Sequence, residues 1–266
     1  MIIYFIIKNI LCFKHSINFL HLQANVILKQ QMKKVALFFL FLLITLSCDR
    51  KGDKAFTQKM VYGLKGAVKN VTSYTYKVEN GKIPAKNAKY YDAKTTVTFD
   101  SMGNLTTTNE LSDYGDLGKS EYSCVYFGQG KEISYIETER LYTGDVTKRT
   151  YKYVWLDDYN YTIVSQEDTT SAISYTLDKN YRLIKSVFKK KGVIQSSNEI
   201  ERSYNNDKIK ETKTKMTLQI LGGRIIYRIY VAQKYDSYGN PTIAYMYDDT
   251  DKQKLNSVTY SEYTYY

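Results

Sequence analysis

The sequence predicts an all-β protein, an antiparallel meander of repeated hairpins forming a curved sheet or open barrel, preceded by an N-terminal signal helix. Three observations carry this reading. From about residue 61 onward, side chains alternate with period two and are rich in Tyr, Thr, Val and Ile, the pattern of half-buried strands. Short clusters of Asn, Asp and Gly interrupt that pattern at intervals. The only two prolines, Pro84 and Pro241, both flank such clusters.

In chain order, the alternation predicts strands over 71–79, 95–99, 105–111, 122–127, 132–141, 146–156 and 161–166. It predicts seven more over 173–177, 183–189, 195–204, 209–220, 224–235, 242–247 and 257–265. A single short helix is expected within 56–68. The connecting turns are Asn80-Gly81, Gly103-Asn104, Gly144-Asp145, Asn205-Asn206-Asp207, Gly222-Gly223 and Gly239-Asn240. Gly and Asn adopt positive φ cheaply, which tight hairpins demand.

One turn is written twice: Phe99-Asp100-Ser101-Met102-Gly103-Asn104-Leu105 and Tyr235-Asp236-Ser237-Tyr238-Gly239-Asn240-Pro241. The aromatic is expected to end a strand, the Asp to accept backbone hydrogen bonds across the turn, and the Gly to take the left-handed conformation. Weaker echoes stand at 177–183 and 204–209, where Asn or Asp is expected in place of the Gly.

The first 47 residues differ in kind, with five lysines, no acidic residue and two apolar runs. Met32-Lys33-Lys34, the apolar run Val35 to Leu46 and Ser47-Cys48 have the order of a secretory signal peptide. The run is shorter than the roughly 20 residues that span a bilayer. Residues 1–31 precede this complete signal and are read as an upstream start, with Met32 the initiator. Residues 32–47 are then the signal peptide, 48–60 a polar tether and 61–266 the β domain.

Composition narrows the chemistry. Both histidines, His15 and His21, fall before Cys48, so the remaining chain offers no imidazole base or ligand. Beyond Cys48 only Cys124 remains, expected as a buried small hydrophobe. Five of the 38 basic residues lie in the first 47. That leaves 33 against 27 acidic ones, scattered rather than clustered, which argues against nucleic-acid binding. Lys189-Lys190-Lys191 reads as a solvated hairpin tip. Asp157-Asp158 and the Asp248, Asp249 and Asp251 group read as turn caps, so no catalytic residue, metal site or cofactor is assigned.

The segment "LITLSC" ending at Cys48 resembles the lipobox of bacterial lipoproteins, in a loose form similar to that of the Bacteroidetes group. The resemblance implies lipid attachment at Cys48 and anchoring in the outer membrane of a Gram-negative bacterium. The mixed charges of "CDRKGDK" favour the periplasmic face. The repeated turn resembles the YD-repeat, or Rhs-type, β-repeats, and "LKGAVKNVTSYTY" with "YDSYGNPTIAYMY" is similar to short Bacteroidetes lipoproteins. These resemblances imply architecture and address rather than activity.

Tyrosine is the remaining signal, with 27 of the 28 lying in the 219 residues from Cys48 on. Its apolar body and polar tip suit half-buried sheets, or aromatic rows that contact a sugar or an envelope protein. Trp155, with Tyr151 and Tyr153 on the same face, is the first candidate contact row, set against the reading of Trp155 as a buried anchor of the sheet. The function expected is non-catalytic binding or assembly. The rival readings are a carbohydrate-active enzyme using paired carboxylates and an immunity protein against a toxin.

Overall fold

The structure, a computed structural model, describes residues 55–113 and 118–266. The expected signal peptide, Cys48 as the expected lipid-attachment site and most of the expected tether lie outside the described residues. Fourteen strands follow one another: β1 Val68–Lys77, β2 Ala93–Phe99, β3 Leu105–Asp113, β4 Lys119–Gln129, β5 Glu132–Arg140, β6 Val146–Trp155 and β7 Asn160–Ser165. The second half holds β8 Ser171–Leu177, β9 Leu183–Lys190, β10 Val193–Asn205, β11 Lys208–Leu218, β12 Arg224–Tyr235, β13 Pro241–Tyr247 and β14 Leu255–Tyr265. Each pairs antiparallel with its neighbour in sequence, and β1 pairs with β14, from Val68 opposite Tyr265 to Lys77 opposite Ser257. The meander therefore closes into a barrel and removes both edges that an open sheet would leave bare.

The repeated turn behaves as the sequence predicts. Asp100 Oδ1 accepts the Met102 and Asn104 amides, and Asp236 Oδ1 accepts those of Tyr238 and Asn240, each at 2.8–2.9 Å. Gly103 and Gly239 both sit at φ +90°, a region closed to most side chains. At 204–209, Asn206 and Asp207 take the positive φ as expected. The echo at 177–183 needs a correction: Tyr181, at φ +58°, occupies the glycine position, while Asn180 does not. Phe56 packs edge-on against the Tyr181 ring at 5.6 Å, so tertiary packing helps hold a conformation that tyrosine seldom adopts.

Because the strands alternate up and down, the turns after β2, β4, β6, β8, β10 and β12 share one end. A short segment closes that end. Helix α1, Gln58–Tyr62, stops at Gly63 in the left-handed conformation, and Phe56, Val61, Tyr62 and Leu64 around it are buried. Both motif turns grip this plug. Lys59 donates its amide to Gly103 O, and Gln58 Oε1 accepts the Leu105 amide. Asn240 binds both backbone groups of Lys65, at 2.8 and 3.0 Å. Helix α1 falls within the span 56–68 where the sequence predicts one, and the ordered fold begins before residue 61.

Outside the barrel, the 78–92 connection covers β1 and β14. Tyr76 and Tyr260 donate their hydroxyls to the carbonyls of Lys86 and Pro84, at 2.5 and 2.8 Å. Between β10 and β11 the outer wall carries charge in mid-strand, with Lys215 paired to Glu199 and Lys213 to Glu201 at 3.2 and 3.9 Å. Cys124 is buried as expected, and burial pushes its thiol up to about 11.

Candidate functional site at the β13–β14 seam

The inner wall of β4 to β8 is an aromatic ladder. Tyr126 and Tyr135 have ring centroids 5.0 Å apart, and Tyr135 stacks on Tyr151 at 4.9 Å. Tyr153 meets Tyr161 at 5.1 Å, and Tyr161 stacks on Tyr175 at 4.9 Å. Trp155 leans on Tyr161 at 4.8 Å and meets Phe56 of the plug edge-on at 4.7 Å. Tyr151, Tyr153 and Trp155 do share a face, as the sequence predicts, but it is the inner one. There these rings pack on one another and on the plug.

Beside the ladder, toward the end away from the plug, lies a polar cluster. Glu137 accepts the Tyr122 hydroxyl at 2.7 Å and lies 3.2 Å from the Arg149 guanidinium, which also approaches Glu139 at 3.7 Å. Ser112 donates to Glu110 at 2.8 Å. Opposite charges and hydrogen bonds are matched here, as buried polar groups require.

The acidic turn residues are caps. Asp157 accepts the Tyr159 and Asn160 amides, and Asp249 those of Gln253 and Lys254; these bonds hold both carboxyls below the usual range. Asp158 pairs with Lys131, and Asp248 takes the Asn256 amide. Among the described residues, no group of three or more acidic, His or Cys side chains is placed to hold a metal. Lys190 and Lys191 are exposed at the tip between β9 and β10.

The concave site lies elsewhere, where β13 and β14 part. Their pairing runs from Tyr247 opposite Leu255 to Ile243 opposite Tyr260, and there it ends. The cause is Pro241. Asn240 uses its carbonyl toward β12, bonding the Asp236 amide, so the next residue presents its backbone toward β14. Proline has no hydrogen to donate. Its carbonyl is taken by the Tyr263 hydroxyl at 2.8 Å rather than by β14 backbone.

The parting leaves a cleft of about 520 Å³, open to solvent, within the usual range for small-ligand sites. Tyr260, Ser261, Glu262 and Tyr263 all line it. Successive residues of one strand can share a cleft only where the strand's flank is bare. Tyr265 forms the end wall, held by hydrogen bonds to Asp236 and, at 2.9 Å, from Asn240, with Tyr238 packed against its ring at 4.3 Å. Burial raises the Tyr263 hydroxyl well above its ordinary value, and burial with the Asp236 contact raises Tyr265. Across the mouth, Lys86 pairs with Glu262 at 2.7 Å, both half exposed.

Sequence reasoning missed this site. The signal was present, since the second motif copy ends in Pro241 where the first has Leu105, and a tyrosine-rich strand closes the chain. No protein-family model matches the chain, and no curated protein matches it in sequence.

Proposed function

We propose that this chain is a lipid-anchored, non-catalytic binding protein of a Gram-negative envelope, held to the outer membrane through Cys48, and that its seam cleft binds a glycan. The single observation that carries the binding role is the cleft, which sets tyrosine rings beside an exchangeable Lys86–Glu262 pair. A sugar ring offers an apolar face to an aromatic wall and hydroxyls to the charged rim. The address rests on the basic, apolar and Cys48 order of residues 32–48. Charged pairs in mid-strand on the outer wall support a barrel that stands in water, since a Lys at mid-bilayer on a lipid-facing strand costs about 2–4 kcal/mol. On this reading the periplasmic face is favoured.

The test is a glycan array probed with the full chain in detergent, alongside Glu262→Ala and Lys86→Ala. Half-exposed ion pairs contribute little to stability, so both variants should fold. Glycan retention by the native chain that drops in both variants supports the reading. Retention unchanged in both, or no retention, overturns the cleft as a glycan site. Turnover of a retained glycan overturns the non-catalytic role. Labelling with radioactive palmitate should mark the chain and be lost in Cys48→Ala.

A further inference from the structure

The inner wall of β10, β11 and β12 differs from every other part of the barrel described above. Buried side-chain atoms without a hydrogen-bond partner gather there: Asn198 Oδ1, Arg202 Nε and Nη2, Thr212 Oγ1, Thr214 Oγ1 and Arg228 Nε. Only two other such atoms occur among the described residues, Thr95 Oγ1 and Trp155 Nε1. Native proteins leave few buried polar atoms unpaired, and a cluster calls for a cause, such as an ion.

Register shows that four of these residues form one patch. Arg202 stands opposite Thr212, and Thr214 stands opposite Arg228. Thr212 and Thr214 are two apart on β11, hence on one face, and each is 1% exposed. The two arginines therefore occupy diagonal corners, two strands apart at about 4.8 Å per strand, with two hydroxyls between them. Burial lowers the Arg202 guanidinium to about 10, so it remains charged at neutral pH.

Neighbouring groups leave this charge largely uncompensated. Arg202 Nη1 donates to Leu183 O at 2.8 Å. The carboxylate of Asp178 is taken by Arg182 at 2.6 Å, and that of Asp248 by Asn256. Arg228 bonds the Tyr230 hydroxyl. None of these supplies an anion to the patch.

We infer that the inner wall of β10–β12 holds a small tetrahedral oxyanion of the phosphate or sulfate class, clamped between Arg202 and Arg228 over the hydroxyls of Thr212 and Thr214. Guanidinium forks and hydroxyls arriving from several directions match four divergent oxygens better than the two coplanar oxygens of a carboxylate. The unpaired atoms are shut off from solvent, which favours a small free inorganic ion over a phosphorylated lipid or sugar as their partner. This site is separate from the seam cleft and stands or falls without it.

The test is thermal unfolding of the full chain in detergent, in sodium phosphate or sulfate against sodium chloride at equal ionic strength. At a hundredfold excess over Kd, the midpoint should rise by about 5 to 10 °C for a chain of this size. Both anions also stabilise proteins non-specifically, so the decisive quantity is the shift lost on mutation. Arg202→Gln and Arg228→Gln should each abolish most of the shift. Thr214→Val, which keeps the shape and should fold, is expected to reduce it by at least half. A shift no larger than in chloride, or one retained in Thr214→Val and in whichever arginine variants fold, overturns the inference.

Discussion

The inner walls of β4–β8 and β10–β12 share a fold, an alternation and a depth, yet they satisfy their polar groups in opposite ways. On the first, Tyr122, Glu137 and Arg149 serve one another, and the tyrosine rings stack in sequence across five strands. On the second, guanidinium and hydroxyl atoms face inward with no partner. A paired network is part of the packing and contributes to stability as it stands. An unpaired one costs stability until something arrives to complete it. The contrast separates a wall built to hold the barrel from a wall built to hold a ligand.

The largest test acts on the ladder side. Burial holds the hydroxyls of Tyr62, Tyr122, Tyr126, Tyr135 and Tyr161 well above their ordinary value of 10, and raises Tyr151 to about 12. In the unfolded chain these groups ionise near 10. Their contribution is therefore complete below pH 10 and is lost as pH rises from 10 toward the folded values. Each tyrosine costs about 1.4 kcal/mol per pH unit in that window, so five acting together cost about 7. Unfolding should be cooperative within about one to two pH units above 10. Absorbance of tyrosinate at pH 9–12, followed beside circular dichroism, checks this. Smooth ionisation of nearly all tyrosines near pH 10 with the sheet signal intact would contradict the buried ladder.

A middle-sized effect is expected at the centre of the paired network. Glu137→Gln keeps the shape and an acceptor for Tyr122 but removes the charge facing Arg149. Arg149 has a side chain one-third exposed, so water recovers part of the loss. A destabilisation of about 1–3 kcal/mol should appear as a lower urea midpoint with unchanged slope. If the midpoint is unchanged, the network does not contribute to stability and the contrast between the walls fails.

How far these walls can be read from sequence depends on how local each feature is. The fourteen strands and the repeated turns are local: alternation and an Asp four residues before an Asn specify them, and the structure places each strand within a few residues of its predicted span. Closure is not local, because it joins Val68 to Tyr265 across the whole chain. The short helix was legible within 56–68, but its role as a plug was not, because that depends on contacts to turns far along the chain. Nor was the direction of the tyrosine face, because Tyr and Thr occur on both sides of the wall. At the seam, Pro241 marked the break in pairing, but only the register shows that its missing hydrogen faces β14. The unpaired patch is less legible still: Arg202, Thr212, Thr214 and Arg228 read as ordinary strand residues until three strands are laid side by side.

The smallest effect carries the sharpest sign. Replacing a buried hydroxyl by a methyl of the same shape normally costs stability, because a hydrogen bond is lost with it. Thr212 Oγ1 has no such bond to lose, and it is 1% exposed. In buffer free of phosphate and sulfate, Thr212→Val should therefore raise stability by about 1 kcal/mol, removing an uncompensated desolvation. On β3, beside the ladder wall, Ser112→Ala removes a donor from Glu110 and should lower stability by a similar amount. Urea unfolding of both variants, measured side by side, reads the two signs directly. A loss at Thr212 equal to that at Ser112 would mean that the hydroxyl has a partner after all, and the two walls would be alike.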